Sequence, residues 1–147
     1  MAGPYFREEL SGLEVMDIPF APETGDNVEW RRWEGKGITP WVCVFEPHEQ
    51  YCCGYLRTKI WSPNAQDAML LITSDDGVRA WLNDKVIHED NKVQSFTDAA
   101  DRVKVTLNEG WNTLQLKVTQ NDGGWGASVR VVAADGSEFK GLKFKAE

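Results

Sequence analysis

Two adjacent carboxylates are the strongest candidates for chemistry in this chain. Asp75 and Asp76 stand between Ser74 and Gly77, where one strand-like run ends and another begins. Calcium takes six to eight oxygen ligands, and neighbouring carboxylates on a tight turn supply several of them. Asp-Asp-Gly is also an ordinary turn, in which Asp caps its own backbone and Gly takes a positive φ. The sequence therefore predicts either a calcium site with Asp75 and Asp76 as ligands, or a purely structural turn.

A glycine-flanked tryptophan is the second candidate. Trp125 follows Asn121 and Asp122 in a short glycine-rich stretch. An indole exposed on such a loop can stack on the apolar face of a pyranose, and Asp122 can accept hydrogen bonds from two sugar hydroxyls. Glycines equally allow a Trp to fold back over a sheet edge. If the domain binds a glycan, we expect Trp125 to be its first contact, with Asn121 and Asp122 beside it.

The chain contains seven Trp, a high number for 147 residues. Trp61 and Trp33 are further candidates for a stacking surface, although their spacing does not show which tryptophans act together. Trp81 and Trp111 lie in strand or strand-edge positions, so we expect both in the core.

Apolar residues alternate with polar ones along much of the chain after residue 51, which indicates half-buried strands. Turn residues separate these runs: Asn83 and Asp84 suit a tight hairpin, and a glycine follows at each of two later corners. Strands are predicted at residues 53–61, 67–74, 77–83, 86–88, 102–107, 112–119, 127–133 and 139–144. Shorter strands are predicted at residues 29–34 and 41–45, and a single helical turn at 62–66.

Many short antiparallel strands joined by hairpins indicate an all-β fold, a two-layer β-sandwich of the jelly-roll type. We expect one domain over residues 1–147, with an irregular front half at residues 1–50, where dispersed prolines oppose long helices and central strands.

Three cysteines, Cys43, Cys52 and Cys53, are too few for a complete disulfide framework. A bridge between the neighbours Cys52 and Cys53 would be strained. A bridge from Cys43 to either of them is possible, but all three lie among apolar residues, where a thiol acts as a small hydrophobe.

The net charge of −7 argues against binding to nucleic acids or to anionic membranes, since both need clustered cations. No apolar run approaches the roughly 20 residues of a membrane span. The first residues lack the basic and apolar regions of a signal peptide. For a secreted module this suggests a domain taken from a longer protein.

Residues from about 54 to 142 resemble a galactose-binding-like β-sandwich that is common in secreted, glycan-degrading proteins of environmental bacteria. The similar stretches include Ser74 to Val78, Trp81-Leu82-Asn83, Gly110-Trp111-Asn112 and Gly123-Gly124-Trp125-Gly126. That superfamily contains many carbohydrate-binding modules. The resemblance implies a module that holds a neighbouring catalytic domain near a polysaccharide or oligosaccharide, outside the cell.

The double-aspartate turn is also similar to that of the protective-antigen-type lectin domain of yeast adhesins. In that domain the paired aspartates hold calcium, which in turn coordinates sugar hydroxyls. The resemblance implies calcium as the cofactor, with Asp75 and Asp76 as ligands and Asn121 and Asp122 as possible partners.

Catalytic signatures are weak. The chain has neither a Gly-x-Ser-x-Gly elbow nor a glycine-rich phosphate loop. We therefore expect a non-enzymatic, carbohydrate-binding module. The alternatives are a structural or protein-interaction β-sandwich and, with less support, a small glycan hydrolase or lyase.

Overall fold

A computed structural model describes residues 1–34, 39–41, 44–45, 50–97 and 99–146 of the chain. Its ten strands are β1 (Ala2–Tyr5), β2 (Thr39–Pro40), β3 (Cys52–Ser62), β4 (Gln66–Asp75), β5 (Val78–Leu82), β6 (Lys85–Asp90), β7 (Asp101–Leu107), β8 (Gly110–Gln120), β9 (Gly126–Ala133) and β10 (Lys143–Ala146). The described helices are a 3-10 helix (Glu14–Asp17) and α1 (Ala21–Thr24). No described helix is both long enough and apolar enough to cross a membrane.

The strands form two antiparallel sheets. The larger sheet has the order β1-β3-β8-β5-β6, and β10 pairs with β3 on the same side as β1. The smaller sheet has the order β2-β9-β4-β7. The predicted all-β sandwich is therefore confirmed.

The core lies between the sheets and follows the predicted alternation. Val78, Ala80 and Leu82 on β5 point into it, as do alternate residues of β8. These side chains meet Leu70 and Ile72 from the smaller sheet, both fully buried. Burial of this apolar surface is the main favourable term for folding.

The predicted hairpin at Asn83 and Asp84 is confirmed. Both residues have positive φ, at 50° and 64°, and they join β5 to β6. Two positive φ values are the signature of the turn whose twist matches that of the flanking strands.

Several of the predicted elements are wrong. Residues 29–34 form no strand, and the residues after Ser62 bend without forming the predicted helical turn. The last strand is Lys143–Ala146, whereas residues 139–144 were predicted. The described residues of 41–45 belong to no strand, and Cys43 lies outside the described part. β1 was not predicted, because its Gly-Pro sequence opposes a strand except at a sheet edge.

The cysteine predictions are tested only in part. Cys52 and Cys53 are both fully buried, on opposite faces of β3. Burial raises the pKa of the Cys53 thiol to about 12. A bridge to Cys43 stays a prediction, since Cys43 is not among the described residues.

The segment before β2 covers part of the outward face of the larger sheet. Val15 and Phe20 pack there against Cys53 and Tyr55 of β3. A buried lysine holds this segment in place: Lys117 Nζ donates to the carbonyls of Met16 and Ile18 at 2.8 and 2.6 Å.

Lys117 also pairs with Glu23 at 2.9 Å, and its side chain is completely buried. Arg79 on β5 adds a second donor to the Met16 carbonyl, at 3.0 Å. The irregular front half is therefore attached to the sheet by two cations that point outward from the strands.

Lys117→Ala should destabilise the protein strongly. It leaves the Glu23 carboxylate and two carbonyls without their shared donor, and removing one partner of a buried ion pair costs about 3–5 kcal/mol. Urea denaturation would measure this. The matched control is Lys104→Ala on the exposed side of β7, for which a change within about 0.5 kcal/mol is expected. Equal small losses in both variants would contradict the anchoring role of Lys117.

Candidate functional site

The double-aspartate turn lies where the chain crosses from one sheet to the other. Asp75 ends β4, opposite Gly126 of β9, and Val78 begins β5 in the larger sheet. The peptide bond between Asp75 and Asp76 is cis. Asp76 N–H donates to the Thr119 carbonyl at 3.0 Å, and Thr119 N–H donates to the Gly77 carbonyl at 2.9 Å. The turn is thereby fixed to the end of β8.

The Asp76 carboxylate joins two loops. Its side chain is 2% exposed. Oδ1 accepts a hydrogen bond from the Gln94 backbone N–H at 3.0 Å, and Oδ2 accepts one from the Asn121 N–H at 2.7 Å. One carboxylate therefore sets the position of the loop after β6 and of the loop after β8.

The Asp75 carboxylate lies against the glycine-rich loop. It is 9% exposed, and the backbone N–H of Phe96 donates a hydrogen bond to it. A Cβ placed on Gly124 would lie 2.6 Å from Asp75 Oδ2. Only glycine allows the backbone of this loop to approach so closely.

Gly77 is required for a different reason from the one predicted. It is not among the glycines with positive φ. Instead, a Cβ there would lie 2.8 Å from Thr119 Oγ1 and 2.9 Å from Asn91 Oδ1. A larger residue at this position would have to displace both neighbouring side chains.

The electrostatics of the turn favour a cation. Burial raises the pKa of the Asp75 carboxyl, the neighbouring Asp76 raises it further, and the hydrogen bond from Phe96 acts in the opposite direction. Among the described residues no ion pair includes Asp75 or Asp76. Two nearly buried carboxylates thus stand side by side without a positive partner, which a bound cation would supply.

The donor set fits calcium only if ligands other than carboxylates complete it. The described residues contain no group of three or more His, Cys, Asp or Glu side chains that could hold a metal. Calcium also accepts backbone carbonyls, amide oxygens and water. Asn121 is half-buried and Asp122 is exposed, on the loop that Asp76 positions. The predicted partners Asn121 and Asp122 therefore lie on the loop that adjoins Asp75 and Asp76.

The structure corrects the expected position of Trp125. The prediction of an exposed indole is wrong, because the side chain is 2% exposed. Its ring lies 5.3 Å from those of Trp41 and Phe45, and its Nε1 donates to the Val118 carbonyl at 3.3 Å. The flanking glycines let the indole fold back under the sheet edge, the alternative that the sequence left open.

Trp61 and Trp111 lie at the other end of the larger sheet from the double-aspartate turn. Trp61 is half-buried near the far end of β3, opposite Trp111. Trp111 was expected in the core but is 49% exposed, because it points outward at the start of β8. Trp33 is 42% exposed and lines a cavity of about 800 Å³ that the inner faces of β3 and β9 also border.

The sequence analysis missed Gln94. Its side chain donates to Ser74 Oγ at 3.1 Å and to the Asp76 carbonyl at 3.2 Å. Nothing in the local sequence marks it, since residues 91–97 have no periodicity. Only the fold brings this loop to the turn.

Comparisons with known proteins bear on the fold. No protein-family model matches the chain, and no curated protein matches it. Among solved structures it is similar to the crystal structure of the PA14 domain of the antifreeze protein MpAFP. The TM-score is 0.50 at 18% identity, and the match covers 58% of this chain and 45% of that one. This likeness shows the fold alone, and the chain spans under half of that neighbour's length.

Trp125→Ala should destabilise the fold by about 3–5 kcal/mol, as truncation of a buried Trp does. Trp33→Ala is the matched control, since its ring is 42% exposed, and a clearly smaller loss is expected. Chemical denaturation of both variants measures the difference. A stable Trp125→Ala variant would contradict the placement of this ring in the core.

The raised pKa of Asp75 predicts an unusual pH dependence without metal. The folded state disfavours the charged carboxylate, so this group contributes an unfavourable term at neutral pH. That term disappears as the pH falls through the folded pKa. With chelator present, the wild type should therefore gain stability relative to Asp75→Asn as the pH falls from about 7 to about 4.

Asp135→Asn is the control for this measurement. Hydrogen bonds from Ser137 lower the pKa of Asp135, so the wild type should lose stability relative to that variant only as the pH falls below about 4, and should not gain any above it. Denaturation series at several pH values measure both differences. Differences of the same sign for both variants would contradict the assignment.

Proposed function

We propose that this domain binds carbohydrate without catalysing a reaction, at the end of the sandwich that carries the double-aspartate turn. In this proposal calcium is held by Asp75 and Asp76 and completed by oxygens of the following loops. Sugar hydroxyls occupy ligand positions on the ion, and Asn121 and Asp122 provide hydrogen bonds to the same sugar.

One observation carries the proposal: two nearly buried carboxylates stand together without an ion pair among the described residues. Burying unpaired charge is unfavourable. A structural turn needs the Asp76 carboxylate, since both of its oxygens accept backbone N–H bonds. The second charge, on Asp75, is what a cation site adds to that requirement. The convergence of two loops on Asp76 gives the ion a preformed surrounding.

The context we propose is a secreted protein in which this domain holds a neighbouring catalytic domain near a polysaccharide. The support is the resemblance of the strand and turn motifs to modules of glycan-degrading proteins. The net charge of −7 is consistent with a ligand other than nucleic acid or an anionic membrane.

The second candidate is a structural or protein-interaction domain. The burial of Trp125 favours it, because the loop beside Asp75 then presents no exposed aromatic ring for a sugar. Under this alternative the turn serves only to connect the sheets, and no metal is needed.

Calcium should raise the melting temperature of the wild type, because a ligand specific to the native state stabilises it. At a calcium concentration of 100 times Kd the gain is about 2.7 kcal/mol, or roughly 5–10 °C for a chain of this size. Asp75→Asn and Asp76→Asn should lose this gain, whereas Asp84→Asn at the exposed hairpin should retain it. Differential scanning calorimetry in chelator and in millimolar calcium measures each shift.

Affinity gels that contain galactomannan or β-glucan test the sugar step. Binding should disappear in chelator and in Asp75→Asn. Asp122→Ala should weaken it while leaving the calcium-dependent melting shift intact. A wild-type melting curve that calcium does not change would leave only the structural alternative. A shift that persists in both aspartate variants would place the metal elsewhere.

A further inference from the structure

The described residues of the front half cover only part of the outward face of the larger sheet. The front-half segment packs on the part of β3 around Cys53 and Tyr55. Further along β3, the outward-pointing residues are Arg57, which contacts Trp30 of the front half, and then Lys59 and Trp61. Their neighbours on the adjoining strands are half-buried or exposed.

The strand register assembles a specific surface there, which we call the Trp–Lys face. Trp61 lies opposite Trp111 on β8 and Lys143 on β10. Lys59 lies opposite Thr113 on β8 and Lys145 on β10. Residues directly opposite one another share a face, with Cβ atoms about 4.5–5.5 Å apart. The Trp–Lys face therefore consists of Trp61, Trp111, Lys59, Lys143 and Lys145.

Trp111 is the exposed aromatic ring of this face. It is 49% exposed, so much of its ring remains in water. Trp61 is half-buried, and Lys143 Nζ lies over its ring, 4.7 Å from the centroid, in a cation–π contact. One open indole therefore lies next to an indole that an ammonium covers.

The charge of this face opposes that of the whole chain. The protein has 23 acidic and 16 basic residues, yet three lysines point from adjacent strands on one side. Among the described residues no ion pair includes Lys143 or Lys145.

We propose that the Trp–Lys face is a second binding site, for an anionic polysaccharide whose pyranose rings carry carboxylate or sulfate groups. A pyranose ring stacks its apolar face on Trp111, while the lysine ammoniums pair with the acidic groups of the same polysaccharide. A cationic sheet surface with an exposed indole complements such a ligand both in charge and in its apolar faces.

This site is separate from the double-aspartate turn. Gln120, next to the loop that Asp76 holds, lies opposite Cys52 at the start of β3, and Trp61 is nine residues further along that strand. At about 3.4 Å per residue the two sites are roughly 30 Å apart. The second site needs no metal, so it can be tested independently.

The test is affinity electrophoresis in chelator, with polygalacturonate, alginate and a sulfated galactan in the gel. Fully methyl-esterified polygalacturonate is the matched neutral probe. The wild type should be retarded by at least one anionic polymer and not by the esterified one. Retardation should weaken as NaCl rises from about 0.05 M to about 0.3 M, because salt screens exposed charges.

Two variants test the two kinds of contact. Trp111→Ala should weaken binding roughly ten-fold, because it removes the exposed stacking surface. The double variant Lys143→Ala/Lys145→Ala should weaken it to a similar degree, roughly ten-fold, and remove most of the salt dependence. Lys104→Ala on the smaller sheet is the control and should bind as the wild type does.

Three outcomes would overturn the proposal: no retardation by any of the anionic polymers, equal retardation by the esterified probe, or unchanged binding in both variants. If Trp111→Ala fails to fold, as its melting curve would show, the lysine variant still decides the result. The effect of calcium on the melting temperature does not enter this test, since the gels contain chelator.

Discussion

The burial of two adjacent carboxylates is the constraint on which the rest of this structure depends. Asp75 belongs to the smaller sheet, and β5 of the larger sheet begins just after Asp76 and Gly77, so the chain changes layers at the point where negative charge is buried. Backbone N–H groups from β6–β7 and β8–β9 connections satisfy Asp76. Gly77 and Gly124 are closely packed around these carboxylates. Because neither has a Cβ, each lets neighbouring parts of the chain approach the turn.

A second buried charge organises the opposite side of the larger sheet. Lys117 draws the segment before β2 onto the outward face, with Arg79 beside it. The described part of that segment packs on β3 around Cys53 and Tyr55, and the Trp–Lys face lies further along the same strand. We propose that the loop end binds a cation and that the Trp–Lys face binds an anion.

The strands from β3 to β9 could be predicted because their alternation and their turn residues agree. Asn83 and Asp84 show this, since their side chains tolerate the positive φ that the hairpin uses. β1 and the path of residues 1–34 could not be predicted, since long-range contacts to Lys117 and Tyr55 hold them in place. Trp125 is buried and Trp111 is exposed, the reverse of what was expected, for a related reason. A local pattern gives the face of a strand, but not which part of that face another segment covers.

We propose that Asp75 and Asp76 hold a calcium ion, and a crystal structure grown in calcium tests this proposal most directly. An anomalous difference peak is expected between the two carboxylates and the loop of Asn121, with oxygen ligands at about 2.3–2.6 Å. A map from crystals in millimolar calcium that shows no peak at this turn would contradict it.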